Sequence, residues 1–198
     1  MAVGAAYLLS WDRRSRISLD GMDSGEDREF NKRKYADASR KAITIDGVTI
    51  RIDKVQVGKV DFRSKGEILQ TSTPHFLIVN VNVKNKSRSE PVLYQSWYDQ
   101  KFEDDQGNSF DVELRDEHGH QWEVFVVPDA DKVEQHFKRE VSLTTDDETK
   151  DSLVFKLPEE YIDEPIPPLY LTLPGAAVGD DGVYRFHLPG GMVERRDK

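Results

Sequence analysis

From residue 43 onward the apolar residues of this chain recur at nearly every second position, and a period of two is the side-chain repeat of an extended strand. The repeat is clearest over residues 76–84, where Leu77, Val79, Val81 and Val83 alternate with Asn80, Asn82 and Lys84. Such a strand has one buried and one wet face. Phe76 and Ile78 add apolar side chains to the wet side, which predicts that the early end is covered on both faces. Upstream, Ile43 and Ile45 lead into Asp46-Gly47, a favoured two-residue hairpin turn, and Val48, Ile50 and Ile52 follow in phase. The phase then slips to Val55 and Val57. A one-residue slip is what a β-bulge produces, so one is expected near Asp53 and Lys54. Residues 61–74 read as loop.

A three-strand meander is expected next. Tyr98, Gln100 and Phe102 end at a turn closed by Gly107; Phe110, Val112 and Leu114 end at a turn closed by Gly119; Trp122, Val124 and Val126 end at Pro128. Glycine in last place suits the left-handed position of such turns. Residues 129–139 read as one or two helical turns, with Val133, His136 and Phe137 at helical spacing. Strand patterns return at Val141 and Leu143, at Leu153, Phe155 and Leu157, at Leu169, Leu171 and Leu173, and at Tyr184, Phe186 and Leu188. Prolines 158, 165, 167, 168, 174 and 189 fall between these runs or at their ends, where strands tolerate them. Short strands punctuated about every ten residues predict an all-β fold, an antiparallel sandwich of about eight or nine strands with at most short helical turns.

The expected organisation is a flexible leader over 1–42, a sandwich domain over 43–190 and a disordered tail over 191–198. The leader is mostly charged from Asp12 to Lys41 and cannot bury enough apolar surface to fold alone. Its first nine residues are apolar or small, well short of the ~20 that cross a bilayer. They read either as a disordered start or as the exit end of a truncated membrane anchor. Arg13, Arg14 and Arg16 follow at once, a flank that the positive-inside rule places in the cytoplasm.

Charge narrows the partners. Residues 43–190 hold sixteen Lys and Arg against twenty-eight Asp and Glu, a balance of −12 that the rest of the chain reduces to the net −9. An acidic domain repels phosphate backbones, and nucleic acid is not an expected partner. The chain has no cysteine, which removes disulfides, zinc–thiolate sites and thiol nucleophiles together. No serine lies in a nucleophile-elbow context, and the glycines of 175–182 lack the Lys-Ser/Thr of a phosphate loop. Neither catalysis nor a cofactor is expected.

Three sets of residues are candidates for a site. Tyr94, Trp97 and Tyr98 form an aromatic cluster at the approach to a strand, which reads as a binding patch or, for Trp97, as a core plug. Asp104, Asp105, Asn108 and Asp111 collect oxygen ligands across one tight turn, as calcium requires, without the spacing of the known calcium-loop motif. His118 and His120 flank Gly119 and could face the same way, but a third metal ligand such as His136 would have to come from far away in the chain.

The succession Val48-Thr49-Ile50-Arg51-Ile52 through Val57-Gly58, and then 76–87 ending in Asn85-Lys86-Ser87, resembles the immunoglobulin-like domain of unknown function of bacterial cell-envelope lipoproteins. That domain is similar in fold to the mycobacterial immunoprotective extracellular antigen. Residues 102–110 and 152–158 support the resemblance, which spans roughly residues 46–173. Family members tend to carry Pro-Gly-Glu before the penultimate core strand and a Gly opening it, where this chain has Thr145-Asp146-Asp147-Glu148 and Asp151. The final strand, after Gly182, lies beyond the usual domain end and reads as an edge addition. The resemblance implies an envelope setting and a non-catalytic role in binding a protein or glycan, with membrane contact only through an N-terminal anchor. The alternative is a soluble cation-dependent module or enzyme using the acidic turns.

Overall fold

The computed structural model describes residues 35–72, 75–98, 102–103, 109–127, 129–133, 136–137 and 140–196. In chain order the strands are β1 (Ala36–Asp37), β2 (Ile43–Ile45), β3 (Val48–Gly58), β4 (Asp61–Ser64), β5 (Glu67–Thr71), β6 (Phe76–Asn85), β7 (Val92–Gln95), β8 (Phe102–Glu103) and β9 (Ser109–Phe110). There follow β10 (Glu113–Asp116), β11 (Lys132–Val133), β12 (His136–Phe137), β13 (Glu140–Leu143), β14 (Glu148–Lys156), β15 (Leu169–Pro174), β16 (Val183–Leu188) and β17 (Val193–Arg195). Helical structure among the described residues is limited to short 3-10 turns. The fold is mostly all-β, arranged in several sheets whose pairings are antiparallel except for β1 on β16 and β17 on β3.

The central sheet runs β14-β6-β3-β17, with β2 also pairing β3. Leu77, Val79, Val81 and Val83 of β6 enter the main apolar cluster, together with Val48, Ile50, Ile52, Val55 and Val57 of β3. The same cluster takes Leu114, Leu171, Leu173, Tyr184 and Phe186 from the sheet β1-β16-β15-β10, so the two sheets share one core. Phe76, Ile78 and Val154 turn the other way, into a second cluster with Val60, Phe62, Tyr98 and Val133. The early end of β6 is therefore covered on both faces, as its residues predict. The register shift between Ile52 and Lys54 is the expected bulge. At the β2–β3 turn, Asp46 and Gly47 both have positive φ, at 42° and 81°. A Cβ on Gly47 would also lie 2.7 Å from Ser87 Oγ, so this corner needs glycine twice over.

Several expectations are corrected. Residues 61–74 are not a loop throughout: β4 and β5 form a hairpin turning at Lys65 and Gly66, both of positive φ, and β4 also pairs β11. The 129–139 stretch forms no helical turn among its described residues; β11 and β12 pair with each other, and Val133 is buried in the second cluster. The meander stops after its first hairpin. Phe102 does pair Phe110, but β10 joins β15 in the sheet with β1 and β16, and the segment after it makes only the isolated bridges Arg115 to Gln121 and Val124 to Phe155. Its side chains are divided between two cores, Trp122 entering the main cluster and Val127 the second, and a single-faced strand cannot do both. β16 is no edge addition, since it lies between β15 and β1. Pairing also reaches past the 43–190 span at both ends, through β1 and β17.

Candidate functional site

Successive side chains of a strand point to opposite faces, and on β14 this separates two polar clusters. Asp151 points inward and is fully buried. Its Oδ2 accepts hydrogen bonds from Tyr94 Oη and Ser96 Oγ, each at 2.5 Å, and its Oδ1 accepts the Ser152 N–H at 2.7 Å. Burial raises the carboxyl to about 6 despite these donors, and burial together with the adjacent carboxylate pushes the Tyr94 phenol up. Ser152 points outward, donating to Asn80 Oδ1 at 2.8 Å and meeting the His136 Nδ1. Serine, histidine and aspartate are thus close in space without forming a triad. Asp151 lies on the face away from His136, and Ser152 has no exposed surface for a substrate to reach.

The aromatic candidates are all core, Tyr94 and Trp97 together in the main cluster and Tyr98 in the second. Trp97 is buried, its ring edge-on to Tyr94 at 5.2 Å, and its Nε1 donates to the Pro174 carbonyl at 2.9 Å. Tyr98 is buried in the second cluster, where its Oη accepts the Val127 N–H at 2.6 Å. Tyr94 holds Asp151. None of the three offers a surface to a ligand. Of the acidic-turn residues, Asp111 is exposed, while Asp104, Asp105 and Asn108 lie outside the described residues. At the His118 and His120 turn, Asp116 Oδ1 accepts both histidine backbone N–H groups and Oδ2 lies 3.0 Å from His120 Nδ1. That carboxyl is burdened by desolvation, but these hydrogen bonds outweigh it and hold it below its ordinary value. The described residues contain no cluster of three metal-ligating side chains.

An open site lies on the edge of β3, where no sequence motif pointed. β2 covers this edge as far as Ile50, and β17 covers it again from Val55. Between them the described residues supply no partner strand for residues 51–54, which include the bulge. The missing stretch spans ~13 Å at about 3.3 Å per residue. A cleft of about 490 Å³ fills the gap, with residues 38–42 along one side and Met192 on the other. Its apolar lining residues are Met192 and Ala42, with Ile52 and Ala38 buried in the core beneath, and its charged lining residues are Arg40, Lys41 and Arg51 against a single acid, Asp53.

Local chemistry shapes this basic rim. The Asp53 carboxylate takes Arg51 Nε at 2.7 Å. Asp37 caps the strap by accepting the Ser39 N–H at 3.0 Å and the Ser39 Oγ at 2.7 Å, with Arg40 Nε 3.6 Å away. The Ser39 hydroxyl does most to hold that carboxyl below its ordinary value. The Lys41 N–H bonds back to the Asp37 carbonyl at 3.0 Å, which fixes the strap as it crosses the edge. Counting Asp37 beside Arg40, three cations stand against two acids here, the reverse of the balance in the whole chain. The gap could not be read in advance, because it depends on where two strands far apart in sequence stop along a third.

No protein-family profile matches the chain, and no curated protein is significantly similar to it. Among solved structures it is similar to the yjhA protein from Bacillus subtilis, at 14% identity over 75% of this chain and 96% of that chain, with a TM-score of 0.44. That likeness is too distant to bear on the argument. No helix among the described residues is long and apolar enough to cross a membrane.

Proposed function

We propose that this chain is a non-catalytic binding module of the bacterial cell envelope, built on an immunoglobulin-like β-sandwich and tethered through its N-terminal segment. The observation that carries the binding role is the notch on β3: a strand edge with no partner strand among the described residues, beside a cleft with a basic rim, in an acidic chain. Unpaired strand edges are sites at which other chains add, and natural domains otherwise cover or blunt them. The resemblance of residues 46–173 to envelope lipoprotein domains supports the setting. The polar groups best placed for chemistry, Asp151 and Ser152, are buried and engaged with neighbouring strands, which favours binding over turnover.

A single experiment tests setting and role together. A membrane-impermeant, amine-reactive crosslinker is applied to spheroplasts expressing the full-length protein. The expected result is a discrete adduct formed through Lys41 and lost in Lys41→Arg, which keeps the charge but removes the amine. Reaction only after the cells are lysed would contradict the envelope setting, and reaction without any adduct would contradict the partner.

A further inference from the structure

We infer that the notch takes a short, extended, acidic peptide segment, which pairs with the open edge of β3 over residues 51–54 and sets its carboxylates against Arg40, Lys41 and Arg51. The inference rests on the binding-module reading above and gives that site its ligand class.

Three features of the notch converge on such a segment. First, the open edge offers backbone groups, and the complement of a strand edge is another extended backbone. The ~13 Å between β2 and β17 admits three or four residues at strand spacing. Second, the lining is divided by chemistry, with the exposed Ala42 and the half-buried Met192 apolar and Arg40, Lys41 and Arg51 charged. An extended segment sends alternate side chains to opposite sides, so a sequence alternating acidic and apolar residues satisfies both linings at once. Third, two of the three cations are available, Arg40 being the one that lies 3.6 Å from the Asp37 carboxylate. Asp53 engages only Nε of Arg51, and Lys41 is exposed with no ion-pair partner among the described residues. Carboxylates frequently engage a guanidinium through its two terminal nitrogens, and those of Arg51 make no hydrogen bond or ion pair among the described residues.

The exposed strand β5 differs on these points. All five residues of β5 are exposed, including Ile68 and Leu69, but that strand is irregular against β4 and carries an acid, Glu67, with no cation of its own. An acidic segment has no counter-charge on β5 itself.

The test is a titration of the ¹⁵N-labelled full chain with an equimolar pool of capped pentapeptides alternating Asp or Glu with Val, Leu or Phe. Saturable amide shifts are expected at residues 38–42 and 51–54. Arg51→Ala and Lys41→Glu are each expected to weaken binding about tenfold, and methylating alternate peptide nitrogens to abolish it. Both substituted side chains are exposed, so the folded spectrum serves as the control for structure. No saturable shift up to several millimolar, equal binding of a pool with Lys in place of the acids, or insensitivity to N-methylation would each overturn the inference. A second arm uses oligogalacturonate, an acidic glycan. Shifts on the same residues with this probe, and none with the peptides, would overturn the peptide assignment while leaving the binding-module reading intact.

Discussion

The Asp151 cluster and the β3 notch are two polar interruptions of an apolar fold, and they resolve in opposite ways. At Asp151 every donor is matched inside the protein: two hydroxyls and an amide converge on one carboxylate, and β14 is tied to the residues at the end of β7. At the notch the strand edge has no partner strand among the described residues, and Lys41 and Arg51 border an open cleft. A buried polar group without a partner loses ~1–3 kcal/mol, so evolution of a core closes such clusters, whereas an open edge persists only where water or another molecule completes it. The closed cluster is therefore assigned to stability and the open one to recognition. Each assignment predicts which property a substitution will move.

The largest effect is expected for Asp151→Ala, which strands Tyr94 Oη and Ser96 Oγ in the core. Denaturant unfolding should show a loss of ~3 kcal/mol, with peptide binding at the notch unchanged under conditions where the variant is folded. A loss below ~1 kcal/mol would remove the cluster from the stabilising account.

The pH dependence sharpens the same point. The Asp151 carboxyl is raised from 3.8 to about 6 by burial, so across that window the folded state keeps a proton that the unfolded chain has released. Its contribution is full below about pH 4 and is lost as pH rises through about 6, with an upper bound of ~3 kcal/mol at 1.36 kcal/mol per unit. Asp37, Asp116 and Asp147 are shifted the opposite way, so their contributions are lost only as pH falls through the acid range below this window. Unfolding measured between pH 5 and 7.5 should show the wild-type chain losing stability relative to Asp151→Asn. Parallel curves would mean that the carboxyl does not titrate there.

At the notch the expectation is inverted. Arg51→Ala should change unfolding by less than ~0.5 kcal/mol, because its side chain is exposed and paired only with its neighbour Asp53, while weakening ligand binding. A stability loss as large as that of Asp151→Ala would erase the distinction between the two regions. The smallest effect concerns the acidic turn. Asp111 is exposed, and millimolar calcium should move the melting midpoint no more than magnesium does. A calcium-selective rise, lost on Asp105→Asn, would instead favour the cation-dependent reading.

Long strands were legible in the sequence, and the details that matter most for a site were less so. The hairpin at Asp46-Gly47, the bulge after Ile52 and the double covering of Phe76 and Ile78 follow from phase alone, because β3 and β6 are long enough to display a period. β11 and β12 are two residues each and display none. Their strand character comes from pairing with each other and, for β11, with β4, so helical spacing misled there. Asp151 did carry a signal, since it lies in phase with Leu153 and Phe155 and an acid in phase with core residues must be buried. Trp97 was readable as a core plug for the same reason that it was attractive as an anchor: a large aromatic side chain fills either kind of space. The notch had no local signal at all. Residues 38–42, 51–53 and Met192 meet only because β2 and β17, separated by almost the whole domain, stop short of each other on one edge.

Hydrogen exchange along β3 tests that contrast most directly. Among the β3 amides that point away from β6, those at residues 48–50 and 55–57 should exchange slowly, because β2 and β17 cover them, as should the Asp151 and Ser152 amides in β14. Those at 51–54 should exchange orders of magnitude faster in the free protein and slow on addition of the acidic peptide pool. Uniform protection from residue 48 to 57 without peptide would show that the edge is already closed, and the notch would then have no claim to be the site.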